Sequence, residues 1–357
     1  QDPLLGWLAE RTRARRGAMV AGAAAVMAGA MVALFAVPPP VAPLAWFALT
    51  LTVLFSAFSF LTIAFYAEGV AKAATLGPGG HVRLAGWREG GALLGISAAA
   101  VAPVALGALT SQPFAGFALA FALLAALAVA GMRGEWQGAR AGESGLRALL
   151  RPVLGDATAR RLLLIALLNA MPVAVTSTLF LFFVESRLAA PGWEGALLLL
   201  FFLAAAASAP VWSAVAARTG ARAALLAGMV LAIVTFGFAA TLGAGDVMLF
   251  ALVCIASGAA LGADMTLLPA IFARRLARIA PGAGAAFGLW SFVSKFALAF
   301  AAVTLLPLLD ARGFVAGGDN PAEALALLTI LYAIVPCALK VAAIGLLAAT
   351  PIPEDAP

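Results

Sequence analysis

Ten apolar runs, most of about 20 residues or more, follow one another near residues 18–37, 43–66, 88–109, 113–132, 161–184, 194–216, 222–242, 247–271, 285–309 and 322–348. At 1.5 Å per residue, a helix of about 20 residues crosses the roughly 30 Å of hydrocarbon in a bilayer. Backbone N–H and C=O groups cannot go unpaired there, so each run is expected to be a helix. Only 11% of the chain is charged and 64% is hydrophobic. A soluble domain carries about 25% charged residues, so the solvent for this much apolar surface is lipid.

The basic residues fix the orientation. Of the 22 Lys and Arg residues, all but Arg187, Arg312, Lys295 and Lys340 lie in alternate gaps between the runs or at their edges. The first such gap holds Arg11, Arg13, Arg15 and Arg16; the second Lys72, Arg83 and Arg88; the third Arg133, Arg140, Arg147, Arg151, Arg160 and Arg161; the fourth Arg218 and Arg222; the fifth Arg274, Arg275 and Arg278. Positive charge on every second loop is the pattern of a multi-pass membrane protein with those loops in the cytoplasm, here of a bacterial plasma (inner) membrane. A soluble helical protein has no reason to segregate its charge in this way. The same spread over five loops explains the net charge of +6 without a nucleic-acid partner.

Enzyme chemistry finds no foothold. His81 is the one histidine, and Cys254 and Cys337 each lie inside an apolar run, so no metal or redox spacing exists. There is no G-x-S-x-G and no phosphate-cradling glycine loop followed by Lys. No cofactor is expected.

The longest hydrophilic stretch, 133–160, has four runs before it and six after it. The chain opens abruptly at Gln1-Asp2-Pro3, as if at the cytoplasmic end of a span already begun. We therefore expect an all-α protein of two six-helix bundles, N-terminally truncated to ten complete spans plus the end of one. Residues 1–132 form the incomplete first bundle, 133–160 a cytoplasmic linker and 161–357 the second bundle. A short repeat agrees: Pro3, Gly6, Arg11 and Thr12 recur as Pro210, Ser213, Arg218 and Thr219. Parallel halves of this kind build many secondary transporters.

Residues Asp2-Pro3-Leu4-Leu5-Gly6-Trp7-Leu8-Ala9-Glu10-Arg11-Thr12-Arg13 resemble the loop motif of the major facilitator superfamily. The form is that of the glycoside–pentoside–hexuronide:cation symporters, the melibiose permease group. Arg83-Leu84-Ala85-Gly86-Trp87-Arg88-Glu89 is similar to that family's R-L-x-x-Y-R-E, and the stretch from Gly284 to Lys295 is similar to its eleventh-helix motif ending in Lys. The resemblance implies a transporter that couples a small-molecule solute to H+ or Na+, working as a monomer in the bilayer.

Candidate site residues follow from position and from this resemblance. Lys295 lies about ten residues from the nearer end of its run, too deep for comfortable snorkelling, so an acid or a cavity is its expected partner. The resemblance implies Asp2 as that acid and as a cation-site carboxylate. Asp264, inside a run, and Thr62, at a position where the melibiose permease group has an acid, complete the expected cation-coupling set. With Thr62 in place of an acid, a sodium site loses one of the hard oxygens it needs, and proton coupling is the better expectation. Tyr66 and Trp290 offer rings for a sugar, or packing surfaces; Asn169 and Thr176, two turns apart on one helical face, offer hydrogen bonds to a solute, or between helices. Gly6, Glu10, Arg11, Arg13, Arg88 and Arg218 suit a gating latch at the cytoplasmic loops. Glu68 reads as a loop-edge charge and Lys340 as a snorkelling lysine. The expected solute is a sugar, glycoside or similar polar molecule. A carrier of an amphiphilic or amino-acid-like solute, or a non-transporting membrane assembly factor, are the alternatives.

Overall fold

In the computed structural model of this chain, residues 1–77, 79–136, 145–279 and 283–352 are described, and they are helical nearly throughout. A short α1 (Asp2–Arg11) and a 3-10 turn (Arg13–Arg15) lead into α2 (Arg16–Phe35), α3 (Pro43–Thr75), α4 (Gly80–Gly107) and α5 (Pro113–Met132). After α6 (Leu146–Gly155) come α7 (Ala157–Phe182), α8 (Glu194–Thr219), α9 (Ala221–Ala239), α10 (Val247–Ile279) and α11 (Ala283–Asp310). The chain then runs through α12 (Ala322–Thr329) into α13 (Val335–Ala348). Among the described residues, ten helical segments are long and apolar enough to cross a membrane. They coincide with the ten runs read from the sequence. The expected linker, 133–160, contains α6; its residues 137–144, Arg140 among them, lie outside the described residues.

Local chemistry sets the helix ends. Pro113 and Pro43 open α5 and α3, where a missing N–H costs nothing. The Asp156 carboxylate caps α7 by accepting the Ala159 N–H at 2.8 Å. Gly220 ends α8 with φ +86°, a conformation a side chain would strain. Two helices outrun their apolar sequence: α3 continues past residue 66 and α10 past residue 271. Lipid stops at the hydrocarbon edge, but the backbone ladder does not, so both helices continue through charged sequence.

Two π turns interrupt the last bundle. Phe183–Arg187 closes α7, and Ile330–Ile334 joins α12 to α13. Pro336 has no N–H and its ring crowds the carbonyl of Tyr332, so the helix widens just before it, and the Val335 N–H reaches back five residues to Ile330 O. The rings of Phe183 and Tyr332, one from each π turn, stack at 4.2 Å. Phe236 and Phe250 surround Tyr332 to complete an aromatic core.

The described chain divides into two compact units. The first comprises Gln1–Lys72, Ala98–Gly155 and Leu276–Phe292; the second comprises Ala73–Ser97, Asp156–Arg275 and Val293–Pro357. Within the first, α1 crosses the start of α11 backbone to backbone: a Cβ on Gly6 would lie 2.5 Å from Gly284 O, and one on Gly288 would lie 2.5 Å from Asp2 O. The amphipathic α6 buries Val153 and leaves Arg147 and Arg151 exposed. Within the second, α10 meets α8 through Gly258, whose Cβ would lie 2.3 Å from Phe201 O, and Gly262, whose Cβ would lie 2.0 Å from the Ser208 hydroxyl. Lipid gives helices no hydrophobic reason to associate, so close approach over small residues supplies the packing. On α5, Leu119, Leu123 and Leu127 are exposed along one face.

Because the Phe201 carbonyl is backbone, it cannot swing away from a new side chain. Gly258→Val is expected to destabilise the protein by about 1–3 kcal/mol, read as a lower Tm of the purified protein in detergent. An unchanged Tm would show that the α8–α10 crossing is looser than these distances require.

Candidate functional site

Two groups of buried polar side chains stand out among the described residues, one inside each unit. In the first unit, Asp2 is 2% exposed and its carboxylate accepts a hydrogen bond from the Ser291 hydroxyl at 2.9 Å. Gly6, one turn further along α1, lets α11 come close enough for this bond. One more turn along α1, the Glu10 carboxylate accepts the Gly284 N–H at 2.7 Å. That N–H is one of the four at the start of α11 with no partner in its own helix, and a carboxylate there also meets the positive end of the helix dipole. Arg16 binds Glu68 at 2.7 Å and lies 3.8 Å from Glu10, while Arg13 lies 3.9 Å from Glu10. Arg11 is exposed and rests on the Trp7 ring.

Glu68 is therefore not a loop-edge charge. Because α3 continues past residue 66, Glu68 stays on a packed helix face, buried against Arg16. Tyr66 packs its ring on Phe287, with centroids 4.9 Å apart. Thr62 is half-buried and lines an apolar cavity of about 290 Å³ with Phe58, Phe65, Met132 and Trp136. Trp290 is half-buried on α11, one residue before Ser291.

In the second unit, the Lys340 ammonium is 2% exposed and binds both the Asp264 carboxylate and the Asn169 side-chain oxygen. Asp264 is 6% exposed and Asn169 5%. Three apolar helices, α13, α10 and α7, each contribute one member. Lys340 does not snorkel: its stem turns inward to a counter-charge, which costs less than stretching along eight residues of helix to water. Thr176 is half-buried, donates to the Pro172 carbonyl at 3.0 Å, and lines a small cavity with Ser257, Asp264 and Lys340. Asn169 and Thr176 thus face the same region, as their spacing predicts. Lys295 is half-buried one turn beyond Ser291 on α11, and it falls in the other unit from Asp2.

The arginine-rich ends carry further contacts. Arg88 binds the adjacent buried Glu89 at 2.7 Å, and Gly86 lets α4 approach Ser213 of α8. Arg218 is exposed. Asp156, the cap of α7, also binds Arg275 of α10 through both its oxygens. The Arg275 guanidinium, followed by the Ala159 N–H, holds the Asp156 carboxyl below its ordinary value against the opposing effect of partial burial.

Ten apolar helices among the described residues, with close small-residue crossings and titratable groups buried against them, define a multi-pass membrane protein. The sequence matches the MFS/sugar transport protein family over residues 1–354, and the chain belongs to that family. No curated protein matches it closely. Among solved structures it is similar to a bacterial homologue of the iron transporter ferroportin in its outward-facing state, at 17% identity and a TM-score of 0.70, over 98% of this chain and 86% of that one. It is similar to the E. coli fucose:proton symporter at 12% identity and 0.63, over 96% and 87% of the two chains. The human organic anion transporter MFSD10 matches at 18% and 0.64, over 97% and 80%. At such identities the likeness is one of fold.

A carboxyl held low in the folded protein stabilises it above the ordinary aspartate range, near pH 3.8, and loses that contribution as pH falls through its depressed folded value. Asp156→Ala removes both the cap, worth roughly 1 kcal/mol, and the pair with Arg275. The variant should melt below wild type at neutral pH, and the gap should narrow under acid conditions in a Tm-versus-pH series. A gap that is constant with pH would mean the Arg275 contact contributes nothing.

Proposed function

We propose that this transporter couples the uptake of a sugar, glycoside or similar small polar solute to protons, by alternating access, in a bacterial plasma membrane with its arginine-rich loops in the cytoplasm. The observation that carries the coupling is the buried Asp2 carboxylate and its bond from Ser291. A titratable group withdrawn from water against a membrane-spanning helix, as Asp2 is against α11, is a candidate functional site because its charge is costly there. Ser291 sits one turn before Lys295 on α11, so the helix that meets the acid also carries the lysine that the family resemblance pairs with it. Thr62, with apolar neighbours, supports a proton over sodium: the oxygen-rich shell that a sodium ion prefers is not assembled around it.

Glu10 on the Gly284 N–H supplies a latch that can break and re-form, since each partner can exchange the other for water at the membrane edge. Arg11, Arg13, Arg88 and Arg218 belong to the same ends of their helices and join this gating role. Within the first unit, Tyr66, whose ring packs on Phe287, and Trp290 offer ring surface for a solute.

A second reading has its own support. The roughly 290 Å³ cavity against α2, α3 and α5 is lined almost wholly by apolar side chains, which suits an amphiphilic solute better than a sugar. A sugar needs several hydrogen-bonding groups, and this cavity offers Thr62 and little else.

Counterflow in proteoliposomes with a panel of sugars, amino acids and amphiphiles separates these readings. For the solute that moves, Asp2→Asn is expected to retain counterflow and to lose accumulation driven by a pH gradient. Lys295→Ala should likewise lose concentrative uptake. Normal accumulation by both variants would remove this coupling model, and movement of none of the solutes would favour a non-transporting role in membrane assembly.

A further inference from the structure

The Lys340–Asp264–Asn169 cluster lies in the other unit from Asp2 and holds a full ion pair inside the spans. Lys340 uses one Asp264 oxygen, Oδ2. The other, Oδ1, is buried and has no hydrogen-bond partner among the described residues. A buried carboxylate oxygen left unmatched is costly and calls for a donor. Asp264 lines the small cavity beside Thr176, whose walls come from α7, α8, α9, α10 and α13.

Size and charge decide what donor fits. The cavity offers about 20 Å³, room for one water and far too little for a sugar. Its polar wall gives that water acceptors: Oδ1 itself, and the hydroxyls of Thr176 and Ser257, whose protons are already given to the Pro172 and Val253 carbonyls. Among the described residues, Lys340 of α13 is the charged group lining the cavity with Asp264; α7 contributes Thr176, with Asn169 on Lys340, and α8 and α9 contribute Phe201, Ala232 and Phe236. A metal cation beside the Lys340 ammonium would be repelled. A proton would not remain a separate charge, because it becomes part of a neutral carboxyl group.

We propose that Asp264 binds a proton on Oδ1 from water in this cavity and thereby releases Lys340, so that the trio is a second proton-operated switch within α7, α10 and α13. The balance is simple. One O–H bond forms on Oδ1 at the expense of a hydronium ion, and the charged contact between Lys340 and Asp264 is given up. The cluster passes from net zero to a single positive charge, with Lys340 left only the neutral Oδ2 carbonyl and Asn169 as acceptors and no counter-charge. An ammonium so exposed in an apolar bundle favours any conformation that brings it to water or to an anion, which is how proton uptake would drive a helix movement. The inference rests on the proton-coupling reading for its role in transport, but proton uptake itself is measurable with no solute present.

The test is an infrared difference titration of the full chain in lipid nanodiscs, following the carbonyl band of a buried protonated carboxyl as pH falls. Wild type is expected to show the band, Asp2→Asn to keep the part due to Asp264, and Asp264→Asn to lose it. Should Asp264→Asn not fold, the double variant Asp264→Asn, Lys340→Met removes both charges together, a change buried pairs tolerate well, and must also lack the Asp264 band. A band of wild-type amplitude in either folded variant overturns the proposal. If the Asp264 band titrates while wild type moves no solute, the switch stands and the transport reading fails. If wild type shows gradient-driven transport while the double variant keeps an unaltered band, the transport reading stands and the switch fails.

Discussion

Hydrocarbon offers no hydrogen bonds, and nearly every feature of this protein answers to that fact. It forces the ten apolar runs into helices, because only a helix satisfies its backbone from within. It also withdraws the usual reason for helices to pack, since lipid tails solvate leucine as well as another helix does. What remains is close contact over small surfaces. Gly6 against Gly284, Gly288 against Asp2, and Gly258 and Gly262 against Phe201 and Ser208 bring backbones within reach of one another.

The same constraint turns each buried charge into a statement about its neighbours. Asp2 has Ser291, Glu10 has an unpaired N–H and two arginines, Glu68 has Arg16, and Lys340 has Asp264 and Asn169. Removing one member of such a pair leaves the other stranded at a cost of about 3–5 kcal/mol. Buried charges are therefore poor devices for stability alone and useful ones for change, because altering the charge of one group alters the favoured position of the next.

Much of the fold was legible from the chain. Run length gave ten spans, and ten helices among the described residues are long and apolar enough to cross a membrane. Helix ends were less legible, because apolar sequence marks where lipid stops and not where the backbone does; that is why α3 carries Glu68 into a packed face. The site was only partly readable. Spacing put Asn169 and Thr176 on one side of α7. Position along one helix, however, says nothing of what the neighbouring helices present. Lys340 looked able to reach water by its distance from a helix end, and only the packing of α7, α10 and α13 supplies the acid that holds it inward. A hint did exist: Asp264 is an acid inside an apolar run that itself demands a cation, and two lysines inside runs were on offer.

The π turn before Pro336 has one consequence for the Lys340 cluster. A widened turn accommodates one residue more than an α turn, and each residue swings the downstream helix by about 100°. Every side chain of α13 is phased by that surplus residue. In a uniform helix from Ala322 onward, Lys340 would be turned about a quarter-revolution from its present bearing, and its aim at α10 would be lost. A defect in helical winding, fixed by a proline four residues ahead of the lysine, thus acts as the sight by which the ammonium is pointed.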